Sequence, residues 1–110
     1  MRPLAPKLVD PQALKAQLDR GERVQVIDVR GADEVAFCRI DGSTHIPMHD
    51  IQARLGELDP KLPTVVYCHH GVRSQMAAAF LLQQGFADVA NLRGGIDHWA
   101  AAVDPTLPRY

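Results

Sequence analysis

The sequence predicts an α/β fold built on a mostly parallel sheet with helices on both faces. Short β-type runs alternate with helical patterns along the whole chain, as a parallel sheet with helical crossovers requires. The clearest run, Val24-Gln25-Val26-Ile27-Asp28-Val29, is apolar nearly throughout, as befits a strand covered on both faces. The length, 110 residues, suits one domain and is enough to bury roughly two-thirds of the unfolded chain's surface without metal or disulfide staples.

Each element has its own signal. Leu8-Val9 reads as a short first strand. Asp10 and Pro11 are N-cap and first helical residue, Leu14 and Leu18 share a helical face, and Gly21 is the stop. After the Val24–Val29 strand comes a short helix at Asp33–Phe37, then a turn at Gly42–Pro47 leading into a brief extended piece. Asp50 is the cap of an expected helix through Ile51, Leu55 and Leu58 that ends at Asp59-Pro60. Thr64–Tyr67 is a strand with Cys68 at its carboxyl end. Ser74 is the expected N-cap of a helix Gln75–Gln84, and Gly85 its C′ residue. Val89–Leu92 is the last strand, and Gly94-Gly95 opens a final helix bearing Trp99. The whole, residues 1–110, reads as one domain with its core at about 8–102 and a Pro-containing C-terminal tail over 103–110.

Composition narrows the function. Twelve basic residues face thirteen acidic ones with no basic run, so nucleic acid is not an expected partner. The longest apolar run, Met76–Leu82, is far short of the roughly 20 residues that span a bilayer, so no membrane partner is expected either. The start Met-Arg-Pro-Leu-Ala-Pro-Lys has no apolar signal core, and Cys38 and Cys68 are thirty residues apart. A reducing, cytoplasmic setting with two free thiols follows as the expectation.

The strongest chemical signal is Cys68-His69-His70-Gly71-Val72-Arg73-Ser74. A strand delivers a cysteine to the carboxyl edge of the sheet, where open α/β folds place their ligands. A short loop then turns into a helix N-terminus, so backbone N–H groups and the helix dipole converge on one spot. Gly71 permits a backbone angle that a side chain opposes, and Arg73 adds a permanent charge. A thiol there should ionise more readily than a free one, and the same cradle would hold an anion attached to the sulfur. The plainer alternative is a buried cysteine that merely ends a core strand.

Tyr67–Ser74 resembles the active-site loop of rhodanese-type sulfurtransferases. Val26-Ile27-Asp28-Val29-Arg30 with Glu34, Arg39–Pro47 and Asn91–Trp99 resemble three further motifs of that family, in the right order. The resemblance implies a rhodanese-like fold with a five-stranded sheet. It implies that Cys68 takes the outer sulfur of a donor as a persulfide and passes it to a thiophilic acceptor. It also implies that His69, His70, Gly71, Val72 and Arg73 form the persulfide cradle, with Asp28, Arg30 and Ser74 in support. The partners would be a small sulfur donor and acceptor (thiosulfate, cyanide or thiols), with a sulfur-carrier protein as a further acceptor. His69 stands where many thiosulfate-using members have Arg, which removes a fixed charge from the donor's path.

Two other functions compete. A non-catalytic binding module of the same fold commonly lacks the cysteine that is present here. A cysteine phosphatase places five residues between Cys and Arg, whereas only His69, His70, Gly71 and Val72 intervene before Arg73. Arg30 and Glu34, four apart, could pair on the way into the short helix. Asp28 could accept hydrogen bonds from the Cys68 loop or cap a turn. Cys38 reads as a small buried filler or as a resolving thiol. Several histidines near a thiol suggest zinc, but no second cysteine lies at ligand spacing and Pro47 interrupts His45–His49. No metal and no cofactor are expected.

Overall fold

A computed structural model describes residues 5–110. Five parallel strands form one sheet: β1 (Lys7–Val9), β2 (Gln25–Asp28), β3 (Thr44–His45), β4 (Thr64–Tyr67) and β5 (Val89–Leu92), in the order β1-β5-β4-β2-β3. The helices are α1 (Pro11–Asp19), α2 (Ala32–Phe37), α3 (Val72–Gln83) and α4 (Gly95–Ala102). The expected α/β architecture is therefore present, with every strand pair parallel. Among the described residues no helix is long and apolar enough to cross a membrane.

Strand alternation divides the core in two. Ile27, Val66 and Val89 point to one face and pack with Ala78, Leu81 and Leu82 of α3. Val26, Val65, Ala90 and Leu92 point to the other and pack with Leu14 of α1 and Ile96 and Trp99 of α4. Both faces of β4 are thus covered, which explains why all four of its residues are buried.

Two expectations need correction and a third gains detail. No α-helix follows Asp50: one short 3₁₀ turn, Met48–Asp50, ends there and a second, Leu55–Glu57, comes after. Ile51 is buried, and Leu55 and Leu58 pack against the α3-side core as their spacing suggested. The backbone between them follows a different course: Gly56 weakens a helix there, and the Arg54 guanidinium donates to the His45 carbonyl and grips Glu57. Asp10 does occupy the N-cap position of α1, but its carboxylate makes no cap bond and pairs instead with Arg93 at 2.8 Å. Finally, α3 starts at Val72, with Gly71 as its N-cap. Ser74 is therefore inside the first turn rather than before it.

Candidate active site

The early start of α3 positions the site. Gly71 takes φ +108°, the left-handed region that glycine alone enters without strain, so the chain passes from β4 into α3 within a few residues. The first-turn N–H groups of a helix have no partner within it. Here they turn to sulfur: the N–H groups of Gly71 and Ser74 donate to Cys68 Sγ at 3.1 and 3.4 Å. The Ser74 hydroxyl is 3.3 Å from the same sulfur. Cys68 itself is only 1% exposed. Burial pushes its thiol up, while the N–H groups of Ser74, Gly71 and His70 draw it down, and the thiol ends below its ordinary value. The Ser74 hydroxyl, whose one proton goes to Asn91, faces the sulfur as an acceptor.

Asn91 orders this cradle. Its amide Nδ2 donates to the Gly71 carbonyl and to Gln75 Oε1, both at 3.0 Å, and its Oδ1 accepts from the Ser74 hydroxyl at 2.6 Å. Sequence reasoning placed Asn91 in a motif without giving it a role. The signal was available, since a polar side chain within the apolar run Val89–Leu92 must find partners when buried.

The outer face of the loop is held by α4. The N–H groups of Ile96 and Asp97 donate to the carbonyls of Cys68 and His69 at 2.9 and 3.1 Å. This approach leaves no room for a side chain at Gly95: a Cβ there would lie 2.6 Å from the Cys68 carbonyl oxygen and collide with that of His69.

The charged residues are arranged differently from expectation. Arg30 does not pair with the Glu34 carboxylate. Its guanidinium donates to both Asp28 oxygens, at 3.0 and 2.7 Å, and to the Cys38 carbonyl at 2.6 Å, and both Arg30 and Asp28 are fully buried. Asp28 also accepts the Arg30 N–H, so it caps its own turn and holds Arg30. Glu34 pairs instead with Arg73, in a two-pronged contact at 2.6 and 2.9 Å. Planar pairing of this kind fixes orientation as well as charge, so the Arg73 side chain braces the loop against α2.

Hydrogen bonds from Arg73, opposed by partial burial and aided by Tyr110 and the Gly31 N–H, hold the Glu34 carboxyl down at about 2, against an ordinary 4.5. A lowered folded-state value means stability present above the unfolded value and lost as pH falls. Acid titration of unfolding should therefore show a Glu34 contribution that is full above about pH 4.5 and disappears towards pH 2. Glu34→Gln should flatten the stability curve across that window; an unchanged acid limb would contradict the assignment.

The remaining candidates lie around this centre. The His69 ring is sandwiched between His70, with ring centroids 3.8 Å apart, and Tyr110, at 3.7 Å and 6° from parallel. His69 Nε2 is buried without a hydrogen-bond partner among the described residues. His70 Nε2 is 3.8 Å from an Asp97 oxygen, and that carboxylate is already gripped by Arg109 at 2.9 and 3.1 Å. His69, His70 and Asp97 bring their ligand atoms within 4.8 Å of one another, with both Asp97 oxygens engaged by Arg109. Val72 is exposed at the start of α3. Cys38 packs in the α1/α4-side core and Cys68 in the α3-side core, and both are free thiols.

A thiol gripped by backbone N–H groups at the carboxyl edge of a parallel five-stranded sheet is the arrangement of a rhodanese-type sulfurtransferase. The chain belongs to the Rhodanese-like domain family, which it matches over residues 10–102. It is 40% identical over 92 residues to a sulfurtransferase of Allochromatium vinosum, covering 84% of this chain and 86% of that protein. It is 38% identical to the thiosulfate sulfurtransferase GlpE of Pseudomonas aeruginosa, covering 83% and 81%. A rhodanese-like domain protein from Staphylococcus aureus superimposes with a TM-score of 0.82 at 30% identity, covering 94% of this chain and 98% of that one.

Proposed function

We propose that Cys68 is the sulfur carrier of this enzyme and thiosulfate its donor. The Cys68 thiolate attacks the outer sulfur of thiosulfate. A new S–S bond forms, the bond to the inner sulfur breaks, and sulfite leaves with the electron pair. The persulfide on Cys68 keeps one negative charge. An acceptor nucleophile, cyanide or a thiolate, then attacks the terminal sulfur and returns Cys68 to the thiolate. A thiol on a carrier protein would serve as acceptor by the same step.

The observation that carries this reading is the pair of N–H donors on Sγ, from Gly71 and Ser74. Such a nest favours thiolate before the reaction and persulfide anion after it. The names of the Pseudomonas relatives support thiosulfate as donor. His69, His70, Gly71, Val72 and Arg73 form the cradle, with Asp28, Arg30 and Ser74 behind it, in one domain whose core is about residues 8–102. Two free, buried cysteines suit the reducing cytoplasm.

Intact-mass measurement tests the proposal. After incubation with thiosulfate, the wild type should gain one sulfur atom and lose it to a reductant or to cyanide. Cys68→Ser should gain nothing. Equal uptake by that variant, or none by the wild type, would sink the reading.

A further inference from the structure

We propose that Tyr110 is a positioning residue for the Cys68 loop, holding both ends of the sulfur cradle with one side chain. The inference deepens the proposed sulfur-carrier role of Cys68 and rests on it. Tyr110 lies outside the family match, which ends at residue 102.

Three contacts carry it. The Tyr110 ring lies flat on His69, the first residue of the loop after the cysteine. Its hydroxyl donates to Glu34 Oε2 at 2.5 Å and accepts from Arg30 Nη1 at 2.9 Å. Glu34 in turn grips Arg73, the residue before Ser74. The ring therefore acts on the loop where it leaves β4, and the hydroxyl acts where it enters α3. Gly71, whose N–H points at Sγ, lies between those two holds.

The segment that presents Tyr110 is itself fastened to the same loop. Arg109 grips the Asp97 carboxylate, and the Asp97 N–H donates to the His69 carbonyl. Phe37 meets the Tyr110 ring edge-on, with centroids 5.7 Å apart, and fixes its tilt. The phenol is pushed up to about 12 by burial and by the Glu34 carboxylate, against some relief from Arg30. It thus keeps its proton for Glu34 throughout the working pH range.

A side chain that only added stability would leave the reactivity of folded Cys68 unchanged. A positioning residue sets where the N–H groups point, and hence how readily the thiol ionises. Iodoacetamide alkylation of Cys68 against pH reads that directly, with Tyr110→Phe and Tyr110→Ala compared in the full chain below their melting temperatures.

For Tyr110→Ala the midpoint should rise by about half a unit to one unit, roughly three- to tenfold less thiolate at neutral pH. Sulfur uptake from thiosulfate should slow in proportion. Tyr110→Phe keeps the stack on His69 and loses the hydroxyl, so its midpoint should fall between wild type and Tyr110→Ala. A wild-type midpoint in Tyr110→Ala overturns the proposal, whatever happens to its melting temperature. The alkylation arm needs no sulfur donor, so wild type failing to take up sulfur while the midpoint still shifts would refute the sulfur-carrier reading and leave the positioning of Cys68 standing.

Discussion

Replacing Arg30 by Leu should destabilise the protein by about 3–5 kcal/mol, the usual consequence of stranding one half of a buried ion pair. Arg30 and Asp28 are fully buried, and their charges meet at 2.7 Å. Without the guanidinium, Asp28 keeps the N–H of residue 30 but loses both guanidinium donors, and the Cys38 carbonyl loses its donor. The damage should come from the orphaned carboxylate more than from the missing attraction. The double variant Asp28→Leu/Arg30→Leu should therefore recover part of the loss. Urea unfolding of the wild type, the single variant and the double variant decides it. A loss under about 1 kcal/mol in Arg30→Leu would show that the pair behaves like an exposed one.

Gly71→Val should slow alkylation of Cys68 at neutral pH by roughly tenfold or more, an effect of at least ~1.4 kcal/mol on the thiolate. No charge changes in this variant, and the nearest atoms to the new Cβ, Asn91 Nδ2 and the Leu92 carbonyl oxygen, would lie at 3.7 Å, which is ordinary contact. What changes is the backbone. At φ +108° a β-branched residue is strained, and the loop relieves that strain by turning the residue 71 N–H away from sulfur. Arg73→Lys is the informative partner. The Arg73 guanidinium is engaged by Glu34, not by sulfur, so Lys keeps one charge-assisted contact while losing the second prong. Its alkylation rate should fall less than that of Gly71→Val. The reverse order would mean that a side-chain charge, not the loop backbone, makes the thiol reactive.

What the sequence disclosed follows the range of the interactions involved. β4 and the Cys68 loop were legible because an apolar run, a glycine and a helix start are all local signals. The first turn of α3 was misplaced for a reason that local patterns carry poorly. Ser74 is a good N-cap residue, yet its hydroxyl is drawn to Asn91, seventeen residues on, and Gly71 takes the cap position by its backbone angle. The Arg30–Glu34 spacing suggested a pair, but Arg30 found a nearer, fully buried carboxylate in Asp28 and left Glu34 to Arg73, thirty-nine residues away. Tyr110 had no local signal at all. Its partners are Arg30, Glu34, Phe37 and His69, brought to it only by the finished sheet.

The clasp of α4 on the carbonyls of Cys68 and His69 has a consequence for how such a site can change. With those carbonyls turned outward to Ile96 and Asp97, the opposite side of the loop presents N–H groups to sulfur, and every residue but proline supplies one. The grip on sulfur thereby comes from the main chain, while the side chains of His70 and Val72 are exposed. Under the proposed function Val72 is a position that can be exchanged to suit another donor or acceptor, whereas the His70 ring is tied to the loop by its stack on His69. Gly95 is the opposite kind of position: it packs against the carbonyls of Cys68 and His69, and no side chain fits there.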